Sequence, residues 1–349
     1  MKIALITDTH FGCHGNDEKF LSYQESFFND IFFPYLEKNK IKTIFDLGDT
    51  FDSRKSISYF TLHESKRFLF NRIEDEGYTM KIIVGNHSML YKHQIDVNSP
   101  KLLFDKYRNI EVIEESVEFT YDGIKFLFVP WISNLNQETI LKSINDTDAK
   151  YLLGHFEIAG MKLHKGWQFH KGLDHSLLNK FKCVWSGHYH IKLKKDNFMY
   201  LGTPYQLDKS DLYQEKGFHV FDTETKKMEF IKNPNAIYHI VEYSEDVDID
   251  SFDYKKYEKS FITTVLDKTI EDYNKFDLFL KRIDDVSYDC VVDERFYNNI
   301  IEVDTEETME EIESTLDTIK RKVNEIDVVD NKKLYDFLEK AYNISVNLK

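Results

Sequence analysis

The chain has 349 residues, of which 42% are apolar and 31% charged, with 28 Phe and 21 Tyr; that balance builds packed cores and excludes an unfolded or low-complexity chain. Cys13, Cys183 and Cys290 have no metal-site spacing and exclude a disulfide framework, and no apolar run approaches the ~20 residues of a membrane span. The net charge of -15 argues at first against nucleic acid as a partner.

The chain opens on KIALIT at 2–7, a short strand ended by an aspartate, too brief for a signal peptide; an intracellular, cytoplasmic protein is the expectation. Phe27, Ile31 and Tyr35 fall at helical spacing and predict a helix over 19–38. IKTIFDLGD at 41–49 predicts the next strand, 60–76 a second helix and TMKIIV at 79–84 a third strand. This βαβαβ beginning is the mark of a layered α/β core. Strands then follow at 117–129 around a YDG turn, and at 151–154, 182–186, 198–201, 217–222 and 227–231. Few helices separate them, so the second half is expected to be an antiparallel or mixed sheet. The fold class expected is therefore α/β, a two-sheet sandwich flanked by helices.

Composition breaks near KNPNA at 232–236. Beyond it YHIVEY, SFITTVL, YNKFDLFLKRI and YDCVVD predict a small ββαβ module. From 304 onward Met309, Ile312, Leu316, Ile319, Val323 and Ile326 recur at steps of three and four, an amphipathic helix with Asp304 and Glu307 as its capping box. Leu334, Phe337 and Leu338 mark a shorter helix after it. Three regions result: 1–235, 236–303 and 304–349. The acid excess is concentrated in the last two: residues 1–235 hold 32 acidic and 31 basic side chains, residues 236–349 hold 29 and 15. Between Lys162 and Lys195 there are eight lysines and one acid, Asp174. Such a stretch is either a solvated face or a footprint for a phosphate backbone.

The strand ends carry the chemistry. LITDTH places Asp8 and His10 past the first strand, and FDLGDTFD places Asp49, with Asp52 three residues on. IIVGNHS brings Asn86 and His87, LLGHFE brings His155, and WSGHYH brings His188 and His190. Each group alone is a common turn or cap. Together they put Asp, Asn and His at five strand ends, where α/β sheets bind ligands. A mixed nitrogen and carboxylate set suits Mn, Fe or Zn better than Mg or Ca. Seven candidates, Asp8, His10, Asp49, Asn86, His155, His188 and His190, exceed one ion's needs and fit a pair.

D-x-H, GDxxD, GNH, GH and GHxH in this order resemble the calcineurin-like metallophosphoesterase superfamily. GDTFDSRKS, VGNH, VPW, GHFEIAG, WSGHYH and YLGTPYQL resemble more closely the SbcD-like nuclease subunits of recombination and repair complexes, in particular those of T4-type bacteriophages. The resemblance covers 1–235 by motif and the remainder by layout. It implies a metallophosphoesterase fold with a small α+β capping, DNA-binding domain at 236–303. It implies two divalent ions, manganese expected and magnesium the other candidate. Asp8, His10, Asp49 and His190 would hold one ion, and Asp49, Asn86, His155 and His188 the other, with Asp49 as the bridge. His87 would be the catalytic histidine that serves the leaving oxygen. The family usually has aspartate after that histidine; here it is Ser88.

The function implied is a manganese-dependent DNA exonuclease and endonuclease acting on DNA ends. Its partner would be an SbcC-like coiled-coil ATPase docked on 304–349. The family also implies a homodimer, in the host cytoplasm if phage-encoded. A phosphatase or small-phosphodiester hydrolase shares the metal chemistry but leaves the C-terminal regions and the lysines unexplained. An adaptor with a degenerate site is disfavoured because no candidate ligand is missing.

Overall fold

A computed structural model describes residues 1–91, 94–159, 161, 172–266, 270 and 272–293. The amphipathic helix expected at 304–326, its shorter successor, His164, His170 and all three lysines of the 162–171 stretch lie outside the described residues. The chain divides into a unit Met1–Val292, described here, and a unit Asp293–Lys349.

The first sheet grows from the βαβαβ start. β1 (Lys2–Ile6), β2 (Thr43–Asp46), β3 (Thr79–Ile83) and β6 (Ile110–Ile113) lie parallel in that order. Between them in the chain come the hairpin pair β4 (Met89–Tyr91) and β5 (Gln94–Asn98). Helix α1 links β1 to β2. It runs Glu18–Ser26, widens through Phe27–Phe32 and ends as Phe33–Lys38; Asp17 caps it by accepting from the Lys19 N–H. Helix α2 (Tyr59–Ser65, Lys66–Phe70, Asn71–Asp75) links β2 to β3, capped by Ser58 on Thr61. Helix α3 (Ser99–Phe104) precedes β6.

The second sheet has β7 (Val117–Tyr121), β8 (Ile124–Val129), β9 (Tyr151–His155), β10 (Cys183–Gly187), β11 (Leu193–Lys195) and β12 (Phe198–Tyr200), in spatial order β11-β12-β10-β9-β8-β7. Its centre is parallel and its edges, β7 on β8 and β11 on β12, are antiparallel. It is a mixed sheet, as expected. The chain then returns to close the first sheet with β13 (Gly217–Asp222) and β14 (Lys227–Lys232), both antiparallel to their neighbours. Helix α4 (Gln137–Asp146) was not foreseen. Its apolar signal is short: Ile140 and Ile144 are its buried residues.

Period-two alternation assigns the cores. Ile3 and Leu5 of β1 point between the sheets, against Phe45, Phe126, Phe128 and Trp185. Ala4 and Ile6 point to the helices, where Phe27, Phe28, Phe32 and Phe68 form the larger core. A third cluster, with Ile140, Ile144 and Leu152, lies under α4.

After 236, β15 (Tyr238–Tyr243), β16 (Phe261–Leu266) and β17 (Asp289–Val292) form a parallel three-stranded sheet with helix α5 (Tyr273–Asp284). They have their own core around Tyr243, Phe276, Phe279 and Ile283. Phe261 stacks on Phe20 of α1 at 5.3 Å, and Lys19 donates to the Tyr288 carbonyl at 3.1 Å.

Phe32 is fully buried, its ring 4.9 Å from Phe218 and 5.5 Å from both Phe28 and Phe33. Phe32→Ala removes a ring that the surrounding aromatics cannot replace by collapsing. A urea titration should show a loss of about 3–5 kcal/mol with an unchanged denaturant slope.

Candidate metal centre

All five motifs meet where the carboxyl ends of β1, β2, β3, β9 and β10 converge. The backbone there bends sharply. Asp8, His10, Asp49 and His188 all have positive φ, between 45° and 91°, a conformation that non-glycine residues adopt at a cost. Two glycines clear the space. A Cβ on Gly85 would sit 2.2 Å from Asp49 Oδ1, and one on Gly187 would sit 2.0 Å from Thr7 Oγ1.

The side chains form three overlapping or neighbouring groups, of which one joins His10 to Asp52 and His87 and the other two contain the expected ligands. Asp8, His10 and His190 bring one donor atom each within 4.8 Å of one another, and so do Asp49, His155 and His188. In the first group His10 Nε2 lies 3.1 Å from His190 Nε2 and 3.8 Å from Asp8 Oδ1. In the second, Asn86 Oδ1 lies 2.8 Å from His188 Nδ1 and 3.0 Å from His155 Nε2, while Asp49 Oδ2 is 3.1 Å from His155 Nε2.

Outer partners set the histidine tautomers. His155 Nδ1 donates to the Leu47 carbonyl at 2.7 Å, which leaves Nε2 as the lone pair facing the group. His188 Nε2 lies 3.1 Å from Glu157 Oε1, which leaves Nδ1 inward. His10 Nδ1 is 3.1 Å from Asp52 Oδ1, in ion-pair range though off the line of a straight hydrogen bond. Such outer partners hold metal-binding histidines in register.

The arrangement passes a test for cations. With Oδ1 inward and both imidazoles neutral, as metal ligands must be, Asn86 faces only lone pairs: those of His155, His188 and Asp49. Within the polypeptide alone the amide is satisfied by the opposite orientation, NH2 inward and oxygen toward Arg54 at 3.2 Å. Four lone pairs aimed at one point repel unless a cation takes their place. The donor set of nitrogens, carboxylates and one amide oxygen fits a divalent transition ion.

Charges reinforce this. Burial pulls the His155 imidazole down, but the Asp49 carboxylate outweighs it and lifts its pKa to about 9. Burial pushes Asp49 up, and His155 with its neighbours more than reverses that, holding it well below the usual carboxylate range. Burial also raises Asp46 to about 7, although Gly48 N–H and Thr50 Oγ1 donate to it.

Asp49 gathers with the second group, its other oxygen accepting the His87 N–H at 2.8 Å. His87 stands beside the first, its ring centre 4.9 Å from that of His10. His87 Nδ1 lies 2.6 Å from the Asp52 carbonyl. That backbone oxygen holds the ring. Ser88 is buried and its Oγ has no partner among the described residues.

Sequence reasoning left several residues out of the site. Asp52 holds His10 with its carboxylate and His87 with its carbonyl. Glu157 holds His188. Lys216, buried and 2.5 Å from Asp211, donates to the His190 carbonyl at 2.8 Å. Gln24 and Tyr205 both donate to the Thr9 carbonyl, between Asp8 and His10. Only Asp52 and Glu157 had a signal, their place inside GDTFD and GHFE. Of the other nearby rings, His14 packs on Phe20 and meets the Leu207 carbonyl, and Trp185 is core. Trp131 is half-buried, its ring 5.0 Å from that of His188. Beside it a cavity of 340 Å³ is also lined by Asn134, Gln137 and Glu157.

Residues 1–192 match the calcineurin-like phosphoesterase family. Exonuclease subunit 1 of Enterobacteria phage T4 is 32% identical over 332 residues, 95% of each chain. Among solved structures, an archaeal phosphodiesterase aligns with 67% of this chain and all of its own, at 13% identity and a TM-score of 0.34. The calcineurin-like phosphoesterase YfkN of Bacillus subtilis aligns with 66% of this chain and 88% of its own, at 12% and 0.33.

The two outer carboxylates give a crossed test. Asp52→Asn keeps the carbonyl that holds His87 but weakens the hold on His10; Glu157→Gln weakens the hold on His188. Manganese titrations should show one class of site weakened roughly 10–100-fold in each variant, with different ligands affected in the two. Identical effects of both changes would show that the groups act as one site.

Proposed function

From the premise that this chain belongs to the calcineurin-like phosphoesterase family, we propose that it is a metal-dependent DNA nuclease. The observation that carries this reading is the convergence of two ligand groups at the strand ends of a chain alignable with a phage exonuclease subunit over nearly its whole length.

Asp8, His10 and His190 would hold one divalent ion, and Asn86, His155 and His188 the other, with Asp49 shared between them. Manganese is the ion we expect. When bound, such a pair supplies a nucleophilic water at neutral pH and neutralises phosphate oxygens. The chain's own residues do the rest. Asp49 is oriented by the His87 N–H on Oδ1. The Asp52 carbonyl accepts a hydrogen bond from His87 Nδ1–H, so a proton delivered to the leaving oxygen departs from Nε2. Arg54, half-buried near Asn86, supplies a cation for a non-bridging phosphate oxygen. The cavity beside Trp131 leaves room for the nucleotide flanking the scissile bond.

By the resemblance, residues 236–303 would serve as a capping module and 304–349 as a docking segment for a coiled-coil ATPase, with a dimer as the working state. Among the described residues no helix is long and apolar enough to cross a membrane.

Comparing manganese-dependent hydrolysis of duplex DNA with that of p-nitrophenyl phosphate tests the reading. A preference for the monoester would replace it with the phosphatase alternative. His87→Gln should retain both ions and most DNA affinity while kcat falls roughly 10²–10⁴-fold. Loss of metal in that variant would make His87 a ligand. A chain truncated after residue 300 should keep simple DNA cleavage yet no longer co-elute with the ATPase; undiminished co-elution would reject 304–349 as the docking element.

A further inference from the structure

We propose that the protein carries a second ligand site, along the edge strands beside β10 and lined by none of the candidate metal ligands, that takes a nucleoside phosphate. The site is a groove of 680 Å³, within the range of small-molecule pockets. It opens where the edge strands β11 and β12 of one sheet face β13 and β14 of the other.

The rim is cationic. Lys182, Lys192, Lys194, Lys226 and Lys227 line it, with Asp196 as its one acid. Lys192 pairs with Glu215 at 3.0 Å; Lys182, Lys194 and Lys227 have no carboxylate partner among the described residues. Three of these lysines belong to the basic stretch at 162–195. Lys180, from the same stretch, instead donates to the Ile144 and Asn145 carbonyls. Lys182 precedes β10 and His188 follows it, so about 20 Å of strand separates them.

The floor is apolar. Trp185, Met199, Met228 and Phe230 line it, and thioethers beside rings suit a planar guest. Lys192 Nζ already lies 3.5 Å from the centre of the Phe230 ring.

His219 closes the back. It pairs with Leu5 and Phe230 across β13 and shares a face with Phe221, so its ring enters the apolar layer between the sheets. It is 2% exposed, yet Nε2 has no hydrogen-bond partner. Burial, helped by the charge of Lys192, lowers its pKa to about 3, so the ring is neutral at physiological pH. A buried polar atom without a partner is costly, and this one lines the groove. A simple anion would use the lysines and ignore the floor. A hydrocarbon would use the floor and leave the lysines and His219 unpaired. A nucleoside phosphate uses all three, with its base against the floor and His219 and its phosphates on the rim.

The inference does not depend on the nuclease reading, and the test keeps them apart. The full chain is titrated calorimetrically in EDTA, which disables the metal centre, with dAMP, ATP, a thymidine hexanucleotide and inorganic phosphate. Saturable binding at least tenfold tighter for a nucleotide or the hexanucleotide than for phosphate is expected. Tighter binding of the free nucleotides assigns a metabolite, and tighter binding of the hexanucleotide assigns a strand. Lys194→Glu with Lys227→Glu, both exposed, should weaken that binding at least tenfold. His219→Phe should do the same by filling the groove. Both should retain manganese-dependent hydrolysis of bis(p-nitrophenyl) phosphate. Phosphate binding as tightly as nucleotide, no binding below millimolar, or unchanged binding in the lysine variant each overturns the proposal. An inactive wild-type protein that still binds nucleotide in EDTA would sink the nuclease reading alone.

Discussion

The mutual repulsion of lone pairs held inside one buried space is the constraint on which the rest of the structure depends. Asp8, Asp49 and His155 are at most 1% exposed, so water cannot satisfy them. Carboxylates and imidazoles in such a space need protons or cations among them. The polypeptide supplies part of the answer from outside: backbone N–H groups of His87 and His188 point at Asp49 and Asp8, and Leu47 and Glu157 take the outward histidine nitrogens. Those contacts leave the inward atoms facing one another, and their chemistry fits divalent ions.

The scaffold is built to resist that repulsion. Four of the candidate ligands have left-handed backbone, which persists only where the surroundings over-determine it. Those surroundings are rigid. The Asp8–His10 loop is tied by Gln24 and Tyr205, the His190 loop by the buried Lys216–Asp211 pair, and the Asp49 turn by Asp46. Behind them lie a dense aromatic core and two sheets whose strands end together. The stability of the helices and sheets thus underwrites local strain at the centre.

Charge is distributed with the same economy of place. The first two-thirds of the chain is almost neutral, and the acid excess lies in the C-terminal third. Lysines that look from the sequence like one basic run are separated by folding. Lys182, Lys192 and Lys194 line a groove between the sheets, because β10, β11 and β12 bring them to one edge, where β14 adds Lys227, while Lys180 holds the carbonyls of Ile144 and Asn145.

Much of this was legible from residue order. Period-two and helical spacing announced the sandwich and its flanking helices, and five polar motifs at strand ends announced a shared centre, since a strand's end is fixed by where its apolar run stops. The ββαβ pattern after 236 was legible for the same reason. What sequence could not convey is any relation that depends on two distant segments meeting. The Asp52 carbonyl as the partner of His87, Glu157 behind His188, Lys216 under His190 and His219 at the back of a lysine-rimmed groove have no local signature. Each is a matter of which atoms the packed sheets bring within hydrogen-bond reach, and only the tertiary structure decides that.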